Sequence, residues 1–252
     1  MLKKMFFAFL LLFGTLHLTA QQKITVAVAA NMQYTMQELI AEFNKTNKIT
    51  VSVVLGASGN LTQQILNGAP FDVFISADAA FPQKLADNHF TLEPPKVYAQ
   101  GLLVLWSVKP GIQPAKDLKL LTGANIKSIA IANPKTAPYG HAAESILKKY
   151  GLYDKISSKL VTGESITQTS QFIATQNADI GFTAKSIVIS KEMNGKGKWV
   201  ELTTSDYPAI EQSAALLKYA KQNIEAEAKK FYDFLYSAKA KAIYQKFGYI
   251  VK

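Results

Sequence analysis

Apolar and polar positions divide the chain into strand-length apolar runs separated by helical stripes. Residues 23–30 (KITVAVAA) form a run rich in small and β-branched residues, closed by Asn31, and predict a buried strand. From Met32 the period lengthens: Met32, Met36, Leu39, Ile40 and Phe43 fall on one face of a helix ending near Asn47. A second strand is predicted over 49–55, a helix over 61–66 that stops at Asn67-Gly68, and a third strand over 71–76. Further along, strands are predicted over 101–108, 128–132 and 178–182, helices over 138–150 and 165–175, and a turn at 194–198. The tract 224–247 carries Phe231, Phe234, Leu235, Ala238, Ala242 and Ile243 at helical spacing, with a break near Ser237 and Gly248 as terminator. A β-α-β-α-β order predicts an α/β protein whose mostly parallel sheets carry helices on both faces.

The first twenty residues stand outside this pattern. Lys3 and Lys4 precede an apolar stretch over 5–18, and Thr19-Ala20 then meets Gln21-Gln22, the order of a cleaved signal peptide spanning 1–20. The stretch is short for a membrane span. Export to the periplasm is therefore expected. The chain has no cysteine, which excludes disulfides, a lipidated cysteine and thiolate chemistry. Its formal net charge is +10, two units of which belong to the leader lysines, and every cationic side chain other than histidine is lysine. Without arginine forks, and with the lysines scattered, nucleic acid is not an expected partner. A diffuse positive field suits a small anion.

Candidate chemistry narrows next. There is no phosphate-binding G-x-x-x-x-G-K-[ST] and no H-E-x-x-H. Gly56-Ala-Ser58-Gly59 lacks the spacing of a nucleophile elbow, and only His89 and His141 remain after the leader to serve as a base, so no catalytic residue is assigned. What recurs is a strand, a short turn and a helix start: at Ala30-Asn31, Ala57-Ser58-Gly59, Ala137-Pro138-Tyr139-Gly140 and Gly163-Glu164-Ser165-Ile166. Each helix start offers unpaired N–H groups and partial positive charge to an anion. The plainer reading is that Asn31 and Ser58 cap their helices, a role that needs no ligand. Pattern alone supports an α/β binding protein, with an anion as candidate ligand.

At these residues the sequence resembles the periplasmic molybdate-binding proteins of ABC importers. The resemblance runs through Val26-Ala-Val-Ala-Ala-Asn31, Gly56-Ala-Ser-Gly59, Gly68-Ala-Pro-Phe-Asp-Val-Phe-Ile-Ser-Ala-Asp78, Asn133-Pro134, Ala137-Pro-Tyr-Gly140, Asp179-Ile-Gly-Phe182, Tyr207-Pro-Ala-Ile210 and Phe247-Gly-Tyr249. It implies the type II periplasmic binding protein fold, with two α/β lobes joined by hinge strands: residues 21–101 plus 206–252 in lobe I, 102–205 in lobe II. It implies that Asn31, Ser58, Tyr139 and Ile166 meet a molybdate or tungstate anion, with no cofactor and no metal beyond the molybdenum of that anion. Many relatives carry a tyrosine after the late strand where this chain has Ala184; the Tyr139 phenol is expected to replace that donor. Glu164 would oppose an anion if it pointed inward. The partners implied are the small oxyanion and the membrane permease of an ABC importer, with the receptor acting as a monomer. Two alternatives are another oxyanion such as sulfate and, from a different class, a secreted hydrolase using Ser58. A third is a purely structural exported domain.

Overall fold

The structure is a computed structural model that describes residues 22–222 and 224–251; the expected signal peptide at 1–20 lies outside them. The first half contains β1 (Lys23–Ala29), α1 (Gln33–Asn44), β2 (Thr50–Gly56), α2 (Ser58–Leu66), β3 (Val73–Ser76), α3 (Ala80–Asp87), β4 (Lys96–Gly101) and β5 (Leu103–Ser107). It continues with β6 (Ile129–Ala132), α4 (Pro138–Lys149), α5 (Tyr153–Ile156), β7 (Leu160–Gly163), α6 (Ile166–Ala174), β8 (Ile180–Ala184) and α7 (Lys185–Val188). The chain ends with β9 (Lys198–Glu201), β10 (Ile210–Leu216), α8 (Glu225–Phe234) and α9 (Ala238–Lys246).

The strands form two five-stranded sheets, ordered β2-β1-β3-β10-β4 and β7-β6-β8-β5-β9, one in each lobe. Within each sheet one strand, β10 or β5, runs against its neighbours. The reversed strand is the one that arrives from the other lobe instead of over a helical crossover on its own sheet, so each sheet is mixed where the sequence suggested mostly parallel pairing. The two crossings run side by side: Gly101 at the end of β4 pairs with Ile210 at the start of β10. Leu103 N–H donates to the Tyr207 hydroxyl at 3.1 Å and ties one crossing to the other.

Alternation explains the long apolar runs. Ile24, Val26 and Val28 of β1 face a core shared with α1, α8 and α9, whereas Ala27 faces a second core with α2 and α3. In the other lobe Leu103 and Leu105 point to one face, and Val104 and Trp106 to the opposite one. A strand buried on both sides loses the polar alternation of a surface strand. The Met32, Met36, Leu39 and Phe43 stripe is buried as expected, and Phe43 meets Phe231 edge-on at 5.1 Å.

Some boundaries differ from the sequence reading. The strand expected over 101–108 is two strands, because the hinge interrupts it at Leu102. The second helix begins at Ser58, three residues early, as Gly59 and Asn60 are carried into its first turn. The C-terminal tract does break at Ser237, whose hydroxyl accepts from Ala240 N–H and starts α9, and Gly248 follows it with φ +72°. Among the described residues no helix is long and apolar enough to cross a membrane.

Candidate functional site

Four strand-to-helix corners close on one cavity. β1 leads through a single 3-10 turn (Ala30–Met32) into α1, β2 leads directly into α2, β6 precedes α4, and β7 precedes α6. These corners lie at the carboxyl ends of parallel strands, where open α/β sheets bind ligands. The cavity leaves ≈ 10 Å³ for the centre of a water-sized sphere and is lined by Asn31, Ser58, Tyr139 and Ile166, with alanines, Gly56 and Pro138 making up the remainder. That is about the room of one water and far below the ~300 Å³ at which drug-sized pockets begin, so only a compact ligand suits it. The structure thus brings all four sequence-derived residues to one place, two from each lobe.

The capping role left open by the sequence is not the one these side chains play. Ala57, not Ser58, precedes α2, and Met32, not Asn31, precedes α1; neither helix start has a side-chain cap. Ala137 starts α4 without one either, leaving Ser165 of α6, which accepts from Gln168 N–H, as the exception. The backbone N–H groups of Ser58, Tyr139 and Ile166 lie in first turns, where no intrahelical acceptor exists, and none of them donates to another group among the described residues. Ser58 Oγ accepts from Ala77 N–H at 3.0 Å. Its hydroxyl proton has no acceptor among the described residues and is available to a ligand.

The lobes meet around the cavity. Gly59 N–H of α2 donates to Thr136 O at 2.8 Å. A Cβ on Gly59 would lie 3.0 Å from Thr136 Cα, so glycine lets the opposite backbone come this close. Thr167 Oγ1 of α6 lies 3.1 Å from Ala30 O and 3.0 Å from Gln33 Oε1, one of which takes its single proton, and Ser186 Oγ of α7 donates to Asn31 O (3.0 Å). These bonds define a closed arrangement in which both lobes share one small cavity.

Among the described residues Tyr139 is the one titratable side chain in the lining. Burial pushes its phenol well above the usual tyrosine value, so it stays protonated at physiological pH. Asp78 borders a neighbouring chamber of ≈ 160 Å³ together with His141. Its carboxylate accepts from Phe81 N–H and the Ser76 hydroxyl at the start of α3, while burial raises its pKa. Glu164 is exposed and outside the lining, so it does not oppose an anion there. Ala184 is fully buried and contributes nothing to the lining. Among the described residues no histidine or carboxylate lines the cavity beside Ser58, so these offer no base to activate that hydroxyl.

Sequence reasoning missed a polar cluster behind Asn31. Asn31 Nδ2 donates to Gln212 Oε1 at 2.8 Å and to the Tyr249 hydroxyl at 2.9 Å. Gln212 belongs to β10, a strand not anticipated from its mixed EQSAAL pattern, and Tyr249 sits after the final helix. The Phe247-Gly-Tyr249 block was the available signal, but nothing local to it points to a site more than two hundred residues away.

Comparison with known proteins agrees with this geometry. The model of the bacterial extracellular solute-binding protein family matches residues 24–250. The molybdate-binding protein ModA of Rhodobacter capsulatus is 41% identical over 234 residues, covering 92% of this chain and 90% of that one. ModA of Azotobacter vinelandii is likewise 41% identical, over 94% of this chain and 93% of its own length. The solved Azotobacter vinelandii periplasmic molybdate-binding protein superimposes with a TM-score of 0.84 at 35% identity, covering 91% of this chain and 99% of that one.

Proposed function

The chain belongs to the family of bacterial extracellular solute-binding proteins, within its ModA-type molybdate-binding group, and from that premise we propose that it captures molybdate, and tungstate with it, between its two lobes and delivers the anion to the permease of an ABC importer. The observation that carries this reading is the convergence of uncapped helix starts on a cavity where, among the described residues, their N–H groups have no acceptor and the lining holds no acid and no ionised base. Molybdate at neutral pH is a proton-free dianion that only accepts hydrogen bonds. A shell of neutral donors serves it without an ion pair, and helix starts add partial positive charge. Hydrogen phosphate carries a proton that needs an acceptor, and a carboxylate is missing from this lining. Sulfate is proton-free as well, so selection against it rests on size.

The ligand set in this reading is Asn31, Ser58, Tyr139 and Ile166. Ser58 gives both its backbone N–H and its hydroxyl, while Tyr139 and Ile166 give backbone N–H groups. Residues 21–101 with 206–252 form the lobe carrying Asn31 and Ser58, and 102–205 the lobe carrying Tyr139 and Ile166. The protein works in the periplasm as a monomer, without cofactor or catalysis, after removal of residues 1–20.

Thermal denaturation tests the reading. A ligand that binds the folded state alone stabilises it by ~2.7 kcal/mol at one hundred times its Kd, so micromolar molybdate and tungstate should raise the melting temperature while sulfate and phosphate leave it near the apo value. An unchanged melting temperature with all four anions at millimolar concentration would refute it.

A further inference from the structure

Behind the cavity, the orientation of the Asn31 carboxamide is decided by its neighbours. Gln212 Nε2 donates to two backbone carbonyls, Ala77 O and Ile210 O, both at 3.2 Å. Carbonyls only accept, so the Gln212 amide has one orientation and its Oε1 must face Asn31. Asn31 therefore turns its NH₂ group toward Gln212, and the second proton of that group goes to the Tyr249 hydroxyl. Both amide protons are consumed by protein acceptors, leaving none for a ligand.

Two groups are then left over. Asn31 Oδ1 is buried without a donor, and Tyr139 Oη is buried without an acceptor. They come from opposite lobes. A Cβ built on the hinge residue Gly101 would lie 2.1 Å from Tyr139 Oη and 3.0 Å from Gln212 Nε2, so both side chains close on the same glycine. The backbone is shaped for this as well. The pairing of β4 with β10 slips between Gln212 and Ser213, leaving Tyr98 as the extra residue of a bulge opposite that step. Bulges beside sites re-aim side chains, and Gln212 is fully buried.

We propose that Gln212 and Tyr249 are positioning residues of the anion site: they hold the Asn31 NH₂ away from the cavity, so that Asn31 serves the anion through its backbone N–H. This inference rests on the function proposed above.

The test is a double-mutant cycle read as the Kd for molybdate by calorimetry. Tyr249→Phe and Gln212→Met should each weaken binding about tenfold, the scale of one buried hydrogen bond lost. In an Asn31→Ala background the same changes should cost less than about twofold, because they act through Asn31. Asn31→Ala itself should still bind. Equal losses in both backgrounds would assign Gln212 and Tyr249 a purely structural role and overturn the proposal. So would wild-type affinity in Tyr249→Phe, or abolished binding in Asn31→Ala, which would put the carboxamide itself on the anion. If Gln212→Met does not fold, Tyr249→Phe decides alone. Absence of molybdate binding by the wild-type protein is a separate result that removes the underlying function and this inference with it.

Discussion

Replacing Ser58 by alanine removes one oxygen that does two things. Ser58 Oγ accepts from Ala77 N–H at 3.0 Å, and both residues are buried, at 1% and 2% exposure. In the ligand-free protein, Ser58→Ala leaves that N–H without its partner, at a cost of ~1–3 kcal/mol. For a protein of this size each kcal/mol lowers the melting temperature by roughly 2–4 °C. The second loss appears with ligand. The Ser58 hydroxyl proton is free to donate to a dianion, and a hydrogen bond to a charged group is worth ~1.5–3 kcal/mol, equivalent to an increase in Kd of roughly 10- to 150-fold. Binding should survive, since the backbone N–H groups of Ser58, Tyr139 and Ile166 remain. Calorimetry with molybdate, beside a melt of the ligand-free variant, separates the two effects. A lowered melting temperature with a Kd within about twofold of wild type would show that Ser58 serves the fold alone, and would refute its place in the ligand shell.

Other perturbations test other parts of the account. Gly101→Ala puts a methyl group 2.1 Å from Tyr139 Oη, so the lobes should no longer close fully; small-angle scattering should show no compaction on adding molybdate, and compaction equal to wild type would count against the hinge contact. Thr167→Val keeps the shape but removes the hydroxyl that reaches Ala30 O and Gln33 Oε1 across the lobes, and should raise Kd several-fold, about 1 kcal/mol, with little change in the ligand-free melting temperature. Affinity should be flat between about pH 6 and pH 9, because Tyr139 is the one titratable group in the lining and burial raises its pKa; a titration step within that window would contradict the assignment. Stability has its own pH dependence at Asp179. Burial pushes this carboxyl up, but the Lys109 ammonium at 2.5 Å and the N–H groups of Lys127 and Ser128 outweigh it and hold it below the usual aspartate value. A depressed native pKa gives stability that is present above the unfolded value of ~3.9 and lost as pH falls through the native one. Asp179→Asn should therefore lower the melting temperature at pH 7, with the difference from wild type vanishing in acid.

The parts of this fold written in local pattern were legible in the sequence. The apolar run of β1 and the Met32, Met36, Leu39 and Phe43 stripe reappear as a buried strand and a helix face. The helix starts carrying Asn31, Ser58, Tyr139 and Ile166 could be named because a strand followed by a short turn and a helix has a short-range signature. Their convergence on one cavity came from the resemblance, since spacing along the chain does not encode distance across a cleft. What stayed hidden depends on crossings and long-range pairing. The reversed direction of β5 and β10 follows from where the chain crosses between lobes, and β9 (Lys198–Glu201) is an exposed edge strand without a buried run to mark it. Helix-cap statistics pointed Ser58 and Asn31 toward the wrong role, because their side chains are taken by Ala77, Gln212 and Tyr249, groups 19, 181 and 218 residues away. The Tyr139 phenol, expected to stand in for the donor missing at Ala184, has its hydroxyl beside Gly101 at the hinge, a placement that depends on the crossing strands and not on local pattern.

The most direct measurement is isothermal titration calorimetry of the leaderless, ligand-free protein with molybdate, tungstate, sulfate and phosphate at neutral pH. The account predicts one-to-one binding of molybdate and tungstate that is tight, with sulfate and phosphate far weaker. Heat from sulfate or phosphate matching that from molybdate, or no heat from any of the four, would contradict it.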